Sequence, residues 1–265
     1  MIEKNIIQFR KRIIELAHKA GKNGAHVGGS LSCIDSLTVL FSLMNKNPEK
    51  LEERDRFILS KGHAALALYC ILENESFLTK EEVETFEANG TSYFAHAKRN
   101  IEKGIEFSGG SLSLGMTYAV GVALACKNKN VNNKVYVLLG DGECNEGLVW
   151  EAAMSAANFK LDNLIVIVDV NGIQSDGFTK DVLNAGSLKE KFEAFGFNAV
   201  EIDGHSVYDL KKAFSVNHQN QPYAIIAKTV KGHGVELMEN DRKWHHGVVT
   251  DDVFLQAISD IEKNS

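Results

Sequence analysis

Val135-Tyr136-Val137-Leu138-Leu139-Gly140-Asp141-Gly142-Glu143-Cys144-Asn145-Glu146-Gly147 reads as a buried strand that breaks into a polar, glycine-rich turn. The apolar run is continuous rather than alternating, as it must be when helices cover both faces of a sheet. The same figure recurs twice. Ile165-Val166-Ile167-Val168 runs into Asp169-Val170-Asn171-Gly172-Ile173, and Ala224-Ile225-Ile226-Ala227 runs into Lys228-Thr229 and then Gly232-His233-Gly234. In open parallel sheets, ligands bind beyond the carboxyl ends of the strands. Three polar strand ends therefore mark where a site belongs.

Outward from these runs the apolar spacing changes to the helical period. Helices are predicted over 114–127, 146–158, 188–195 and 207–214, with strands at 134–139, 164–169, 198–202 and 223–227. Upstream, 6–20 and 31–44 read as helices and Phe57-Ile58-Leu59 as a short apolar run. A helix over 64–72 follows Lys61-Gly62-His63, and Thr79-Lys80-Glu81-Glu82 looks like another helix start. Residues 87–111 are polar, contain four glycines and read as a long loop, the kind that is often functional in a compact domain. The alternation of helix and strand predicts an α/β, doubly wound parallel sheet with helices on both faces. No internal repeat or low-complexity linker interrupts the chain and the prolines are Pro48 and Pro222, so residues 1–265 are expected to form one domain.

Hydrophobic residues make up 44% and charged residues 24%, ordinary for a globular protein with a substantial core. The net charge of −6, with no block of Lys or Arg, argues against a nucleic-acid surface. Cys33, Cys70, Cys126 and Cys144 form no CxxC pair and read as reduced thiols. The first twelve residues lack the apolar core of a signal peptide, and no apolar run approaches the length of a membrane span. A cytoplasmic protein is expected.

The first strand end can cradle a phosphate, since glycines expose backbone N–H groups and the next helix offers its positive end. It is not a dinucleotide fingerprint, because position 145 is Asn where the third glycine is needed, and no Gly-Lys-Ser/Thr follows. Asp141 would repel a bare phosphate. A cation resolves the conflict: Mg²⁺ takes oxygen ligands and shares them between a few protein groups and phosphates. Asn171, 30 residues on at the next strand end, can supply a second oxygen, and the Ile173 carbonyl a third. Asp-Gly and Asn-Gly are each common turn dipeptides, but the pair at matching strand ends is not an ordinary turn.

Gly140-Asp141-Gly142 with Asn171 some 30 residues later resembles the signature of thiamine-diphosphate enzymes. The longer string ending at Glu151-Ala152 resembles transketolase, as do Leu59-Ser60-Lys61-Gly62-His63-Ala64 and Asn23-Gly24-Ala25-His26-Val27-Gly28-Gly29. Lys228-Thr229, Gly232, Gly234, His246-Gly247 and Asp251-Asp252 resemble the end of that family's first domain. The resemblance implies thiamine diphosphate as cofactor and Mg²⁺ held by Asp141, Asn171 and the Ile173 carbonyl. It places Gly142 and Asn171 at the diphosphate, and His63 and His246 between diphosphate, thiazolium and substrate. Gly110 and Leu112 would line the aminopyrimidine, His26 and His96 would face the sugar, and Glu146 would stand at a subunit interface near the cofactor. Imidazoles suit this work because they exchange protons near neutral pH. His245-His246 suggests a transition-metal pair, but no ligand cluster accompanies it. His18, His205 and His218 read as structural or solvent-facing, and His233 as lying beside the site.

Two segments depart from the family pattern. Ser113-Leu114 stands where Gly-Gln is usual, and Ala95-His96-Ala97-Lys98 where Gly-His-Pro-Glu is usual. A complete transketolase also continues into further domains, one of which supplies a Glu that protonates the aminopyrimidine. The implied function is thus one subunit of a split transketolase, moving a two-carbon ketol unit from ketose to aldose. Its expected partner is a carboxy-terminal, pyrimidine-binding subunit, in an α2β2 heterotetramer. The rivals are the α subunit of a 2-oxo acid dehydrogenase, which the histidine set disfavours, and a non-catalytic binding protein that keeps the fold.

Overall fold

The computed structural model describes residues 1–47 and 52–263; Pro48 lies outside the described residues. The chain opens with α1 (Ile2–Lys19), α2 (Gly28–Leu43), β1 (Arg56–Leu59), α3 (Ala65–Asn74) and α4 (Lys80–Val83). It continues through α5 (Leu114–Asn128), β2 (Val135–Gly140), α6 (Gly147–Asn158), β3 (Leu164–Val170), β4 (Ile173–Gln174), β5 (Gly177–Phe178) and α7 (Thr179–Val182). The last elements are α8 (Leu188–Ala194), β6 (Asn198–Asp203), α9 (Val207–Phe214), β7 (Tyr223–Lys228) and α10 (Asp251–Lys263). Five strands form one sheet in the order β1-β2-β3-β7-β6, every pair parallel. β4 and β5 make a separate antiparallel pair.

Side-chain alternation divides the core in two. Phe57, Leu59, Tyr136, Leu138, Ile165, Ile167, Tyr223 and Ile225 face a layer built from α1, α2 and α3, with α10 packed on α1. Ile58, Val137, Leu139, Val166, Val168, Ala224 and Ile226 face α5, α6 and α8. α2 is buried on all sides from Gly28 to Phe41, which explains why its sequence shows little amphipathic stripe. α4 begins with a capping box: Thr79 accepts from the Glu82 N–H while Glu82 accepts from the Thr79 N–H.

The doubly wound parallel sheet matches the sequence expectation. The short run at 57–59 is its edge strand β1, and the loop expected at 87–111 holds only a single 3₁₀ turn at Ile101–Lys103. The β4–β5 pair, α7 and α10 lie outside the elements that periodicity predicts. β2, β3 and β7 lie side by side although β6 intervenes in sequence, so the three polar strand ends form one continuous edge.

Candidate active site

Asp141 follows β2 and caps the 3₁₀ turn Gly142–Asn145. One carboxylate oxygen accepts from the Gly142 N–H at 2.9 Å; the other accepts from the Gly172 N–H at 2.7 Å and the Thr179 hydroxyl at 3.1 Å. The strand ends of β2 and β3 are thereby tied through the residue expected to hold the cation. Burial, with Asp169 nearby, pushes the Asp141 carboxyl up, so the site favours a positive charge beside it. Asn171 donates its amide to Asp169 at 2.9 Å and accepts from the Ile173 N–H at 3.1 Å. The Ile173 carbonyl accepts from the Lys231 ammonium at 3.0 Å. At Gly142 a Cβ would lie 2.9 Å from the Gln174 side chain, so only glycine lets the turn approach β4 this closely.

Below these ligands lies a layer of buried charge. Asp169, 1% exposed, pairs with Lys61 at 2.5 Å and accepts from Ser32 at 2.7 Å and Thr229 at 2.6 Å. Burial alone would raise its carboxyl, but Lys61 and the hydroxyls hold it below the usual range. Lys231, also buried, is depressed to about 8 by burial and by Lys61. The buried Glu143 carboxylate accepts from the Ser60 hydroxyl, from the Ser113 N–H at 2.8 Å and from the Gly140 N–H at 3.1 Å, joining the segment after β1, the start of α5 and the end of β2. Burial raises its pKa against those bonds.

A rim of imidazoles stands at the same edge. The His26 ring lies 5.7 Å from His63, 5.3 Å from His96, 5.4 Å from His245 and 4.6 Å from His246. His63 and His245 are 5.2 Å apart. Burial, reinforced by neighbouring cations, lowers His26 to about 3 and His245 to about 4, and lowers His63 well below its ordinary value. His96 is lowered as well, chiefly by burial. Lowered in this way, His26, His63, His96 and His245 take the neutral form, each with one donor and one acceptor nitrogen. The His26 Nδ1 is buried and has no partner among the described residues. Gly62, ahead of His63, touches the loop backbone at Gly109 and Gly110 so closely that a Cβ would come within 2.7 Å of Gly110 N.

The structure thus gathers Asp141, Asn171, Ile173, His26, His63, His96 and His246 at one edge. Gly110 packs against Gly62, just ahead of His63, and faces His96; Leu112 is exposed beside Ser113, and Glu146 is exposed at the start of α6. His245 is a rim residue that sequence reasoning treats only as half of a metal pair; its signal is the doublet itself. Lys61, Asp169, Lys231 and Glu143 also escape that reasoning, though charged residues flanking apolar strands are a usable sign of buried polar work. His233, expected beside the site, instead stacks on His205 at 3.6 Å. Together with Asp35 these two bring ligand atoms within 4.8 Å of one another. That carboxylate is engaged by Arg10 at 2.7 and 2.8 Å, and His205 contacts Asp35 and the Val230 N–H with both ring nitrogens, so the group is a structural staple. His18 pairs with Asp251 and His218 stacks on Tyr223, away from the rim.

The donor set at the strand ends fits Mg²⁺: a carboxylate, an amide oxygen and a carbonyl, with no thiolate. The Ile173 carbonyl oxygen is turned toward a positively charged group, the Lys231 ammonium.

Residues 2–259 match the family described as transketolase, thiamine diphosphate binding domain, and the chain belongs to it. It is 40% identical over 259 residues to one of the apulose-4-phosphate transketolase subunits of Phocaeicola vulgatus, covering 96% of this chain and 91% of that protein. It is 36% identical to the 6-deoxy-6-sulfo-D-fructose transketolase subunit SqwG of a Clostridium species, covering 96% and 94% of the two chains. Among solved structures, the transketolase of Campylobacter jejuni superposes with a TM-score of 0.91 at 30% identity. That match covers 98% of this chain and 43% of the other, so the chain spans less than half of that solved transketolase.

Proposed function

We propose that this chain is the diphosphate-binding subunit of a two-chain transketolase that moves a two-carbon ketol unit from a ketose to an aldose. The observation that carries this reading is the convergence, at one sheet edge, of an oxygen-ligand floor and a rim of imidazoles. Asp141, Asn171 and the Ile173 carbonyl would hold Mg²⁺, and Gly142 and Asn171 would meet the diphosphate. Bound thiamine diphosphate supplies the carbanion chemistry; the protein orients it and excludes water. His26, His63, His96 and His246 would give and take protons at the sugar hydroxyls and carbonyl. Gly110 and Leu112 would line the aminopyrimidine. Both relatives are named for sugars with an anionic end, and we extend that class to this chain.

The partner would be a carboxy-terminal, pyrimidine-binding transketolase subunit that supplies the catalytic Glu, in an α2β2 heterotetramer with Glu146 near the interface. The naming of the relatives as subunits supports it. So do the exposed Leu112, Leu114, Leu148, Phe178 and Leu183, which lie on the segments bordering the strand ends and offer apolar surface to a partner. We place the assembly in the cytoplasm: all four cysteines are free, and no described helix is long and apolar enough to cross a membrane.

The test is reconstitution. The chain with its partner, thiamine diphosphate and Mg²⁺ should transfer ketol units among phosphorylated or sulfonated sugars, and chelation of the metal should stop it. The chain alone should show no turnover. Ketol transfer at a normal enzymatic rate without a second polypeptide would defeat the subunit reading.

A further inference from the structure

Gly28, Ser32 and Asp35 stand on one face of α2, at the spacing that puts residues above one another along a helix. Ser32 reaches Asp169, and the Gly28 carbonyl accepts from the Gly232 N–H at 3.0 Å. Asp35, the third of the row, is buried and bonds away from both the floor and the rim. Its carboxylate accepts from Arg10 Nη2 at 2.7 and 2.8 Å and meets His205 Nδ1 at 2.5 Å.

Each of these partners makes a second bond. Arg10 Nε donates to the His233 carbonyl at 3.1 Å, and His205 Nε2 lies 2.9 Å from the Val230 N. A backbone N–H only donates, so Nε2 accepts and the ring proton sits on Nδ1, facing Asp35. One carboxylate thus holds a backbone donor and a backbone acceptor three residues apart. It does so through one side chain from α1 and one from the turn after β6. Between the two held points lie Lys231 and Gly232. Lys231 is packed so closely on α2 that a Cβ at Gly28 would come within 3.0 Å of its Cγ, and its ammonium bonds the Ile173 carbonyl at 3.0 Å. A lysine stem is flexible, so its charge stands only as firmly as its backbone is held.

We propose that Asp35, Arg10 and His205 are positioning residues for the loop after β7. They fix its backbone on both sides of Lys231 and so set where that ammonium stands, without touching substrate or cofactor themselves. This rests on the transketolase reading of the site. A cluster that served stability alone would be indifferent to which of its bonds is kept; a positioning cluster depends on the bond to Val230.

The experiment uses the full chain with its partner and separates the two bonds of His205, because removing Asp35 or Arg10 would strand a buried charge. His205→Gln puts an amide oxygen near the Nε2 position, which keeps an acceptor for Val230 and gives up Asp35. His205→Asn puts an amide donor near the Nδ1 position, which keeps Asp35 and leaves Val230 unheld. Each variant keeps one bond of two, so urea denaturation should find them about equally stable. Amide hydrogen exchange over residues 229–234 in the cofactor-free assembly should be about tenfold faster in His205→Asn and within about twofold of wild type in His205→Gln. Thiamine diphosphate affinity, by calorimetry at saturating Mg²⁺, should divide in the same way, with His205→Asn about tenfold weaker, the worth of one hydrogen bond. If His205→Asn does not fold, Arg10→Lys carries the test: it keeps a charge for Asp35, loses the second arm to His233, and should loosen the same amides and weaken the cofactor. Equal losses of affinity in the two His205 variants, or wild-type exchange and binding in His205→Asn, would show that the cluster holds the fold and not the loop, while the site reading stands. A wild-type assembly with no saturable cofactor binding overturns the site reading, and with it the task given to Lys231; the exchange rates then decide by themselves whether the cluster places the loop.

Discussion

The floor and the rim of the site are built differently. At the floor, Asp141, Asp169, Asn171, Lys61 and Lys231 are buried, and each makes side-chain bonds that fix its orientation. At the rim, His96 and His246 are exposed, His26 leaves a ring nitrogen unpartnered, and the bordering loop passes through left-handed backbone at Glu87 and Ser113. The difference teaches that the floor, where we propose the diphosphate binds, is preorganised by the sheet, whereas the rim, which we propose faces the sugar, is shaped by loops that can be altered more cheaply. Binding of a common cofactor needs the first; discrimination among related sugars needs the second.

The comparison breaks most directly at Asp141. Asp141→Ala should abolish saturable, Mg²⁺-dependent thiamine diphosphate binding while the fold survives, because a strand-end carboxylate is not core. Titration calorimetry beside circular dichroism checks both halves, and unchanged binding would remove the cation assignment. A second strike on the floor is Lys61→Met, which leaves Asp169 buried without its ammonium. Urea denaturation should register a loss of about 3–5 kcal/mol, and adding Asp169→Asn should recover part of it; a loss near zero would mean that Ser32, Thr229 and Asn171 suffice.

The rim should answer in turnover rather than in stability. His26→Ala or His63→Ala should cut kcat in the reconstituted enzyme by ~10²–10⁴ while costing only about 1 kcal/mol of stability at pH 7.5, an ordinary value for a point substitution. Lower melting with full activity would make these rings structural. Acid should then expose the same rings. Burial, with His246, His245, His96 and Lys231 around it, lowers His26 to about 3, and His245 falls to about 4. A depressed histidine binds fewer protons folded than unfolded, so its contribution is intact above about 6.5. It is lost progressively as pH falls from there toward the folded values. The melting temperature should therefore decline between pH 6.5 and 5, before most carboxylates titrate, and His26→Asn should flatten that decline.

The smallest effect belongs to the border between the two regions. Ser113 sits at φ +72°, where glycine is at ease. Ser113→Gly should raise stability by about 1 kcal/mol at most. A loss would show that the serine side chain contributes more than its backbone costs.

Much of the floor can be seen in the sequence because strand ends are written there. The continuous runs at 135–139 and 165–168 announce buried strands, and whatever follows them must lie at the sheet edge. That reasoning brings out Asp141 and Asn171. It does not reveal that β3 pairs with β7, because periodicity describes an element's faces and not its neighbours. Lys61 and Lys231 stay hidden for a related reason: each is explained only by a carboxylate or carbonyl that folding brings close from more than 50 residues away. His245 is passed over because a doublet viewed as sequence looks like one feature, and only the extended backbone at His246 separates its two rings. His233 shows the opposite error, since proximity in a motif is not proximity in space.

The Glu143 carboxylate holds Ser60, Ser113 and the β2 end at Gly140 on one side chain. For a protein engineer this acts as a joint between two modules. Exchanging residues 90–100 varies the segment that carries His96 without cutting any bond to that carboxylate, so the pinned segments keep their places. A graft that runs on through Ser113 takes hold of the pin itself and carries the disturbance into the floor.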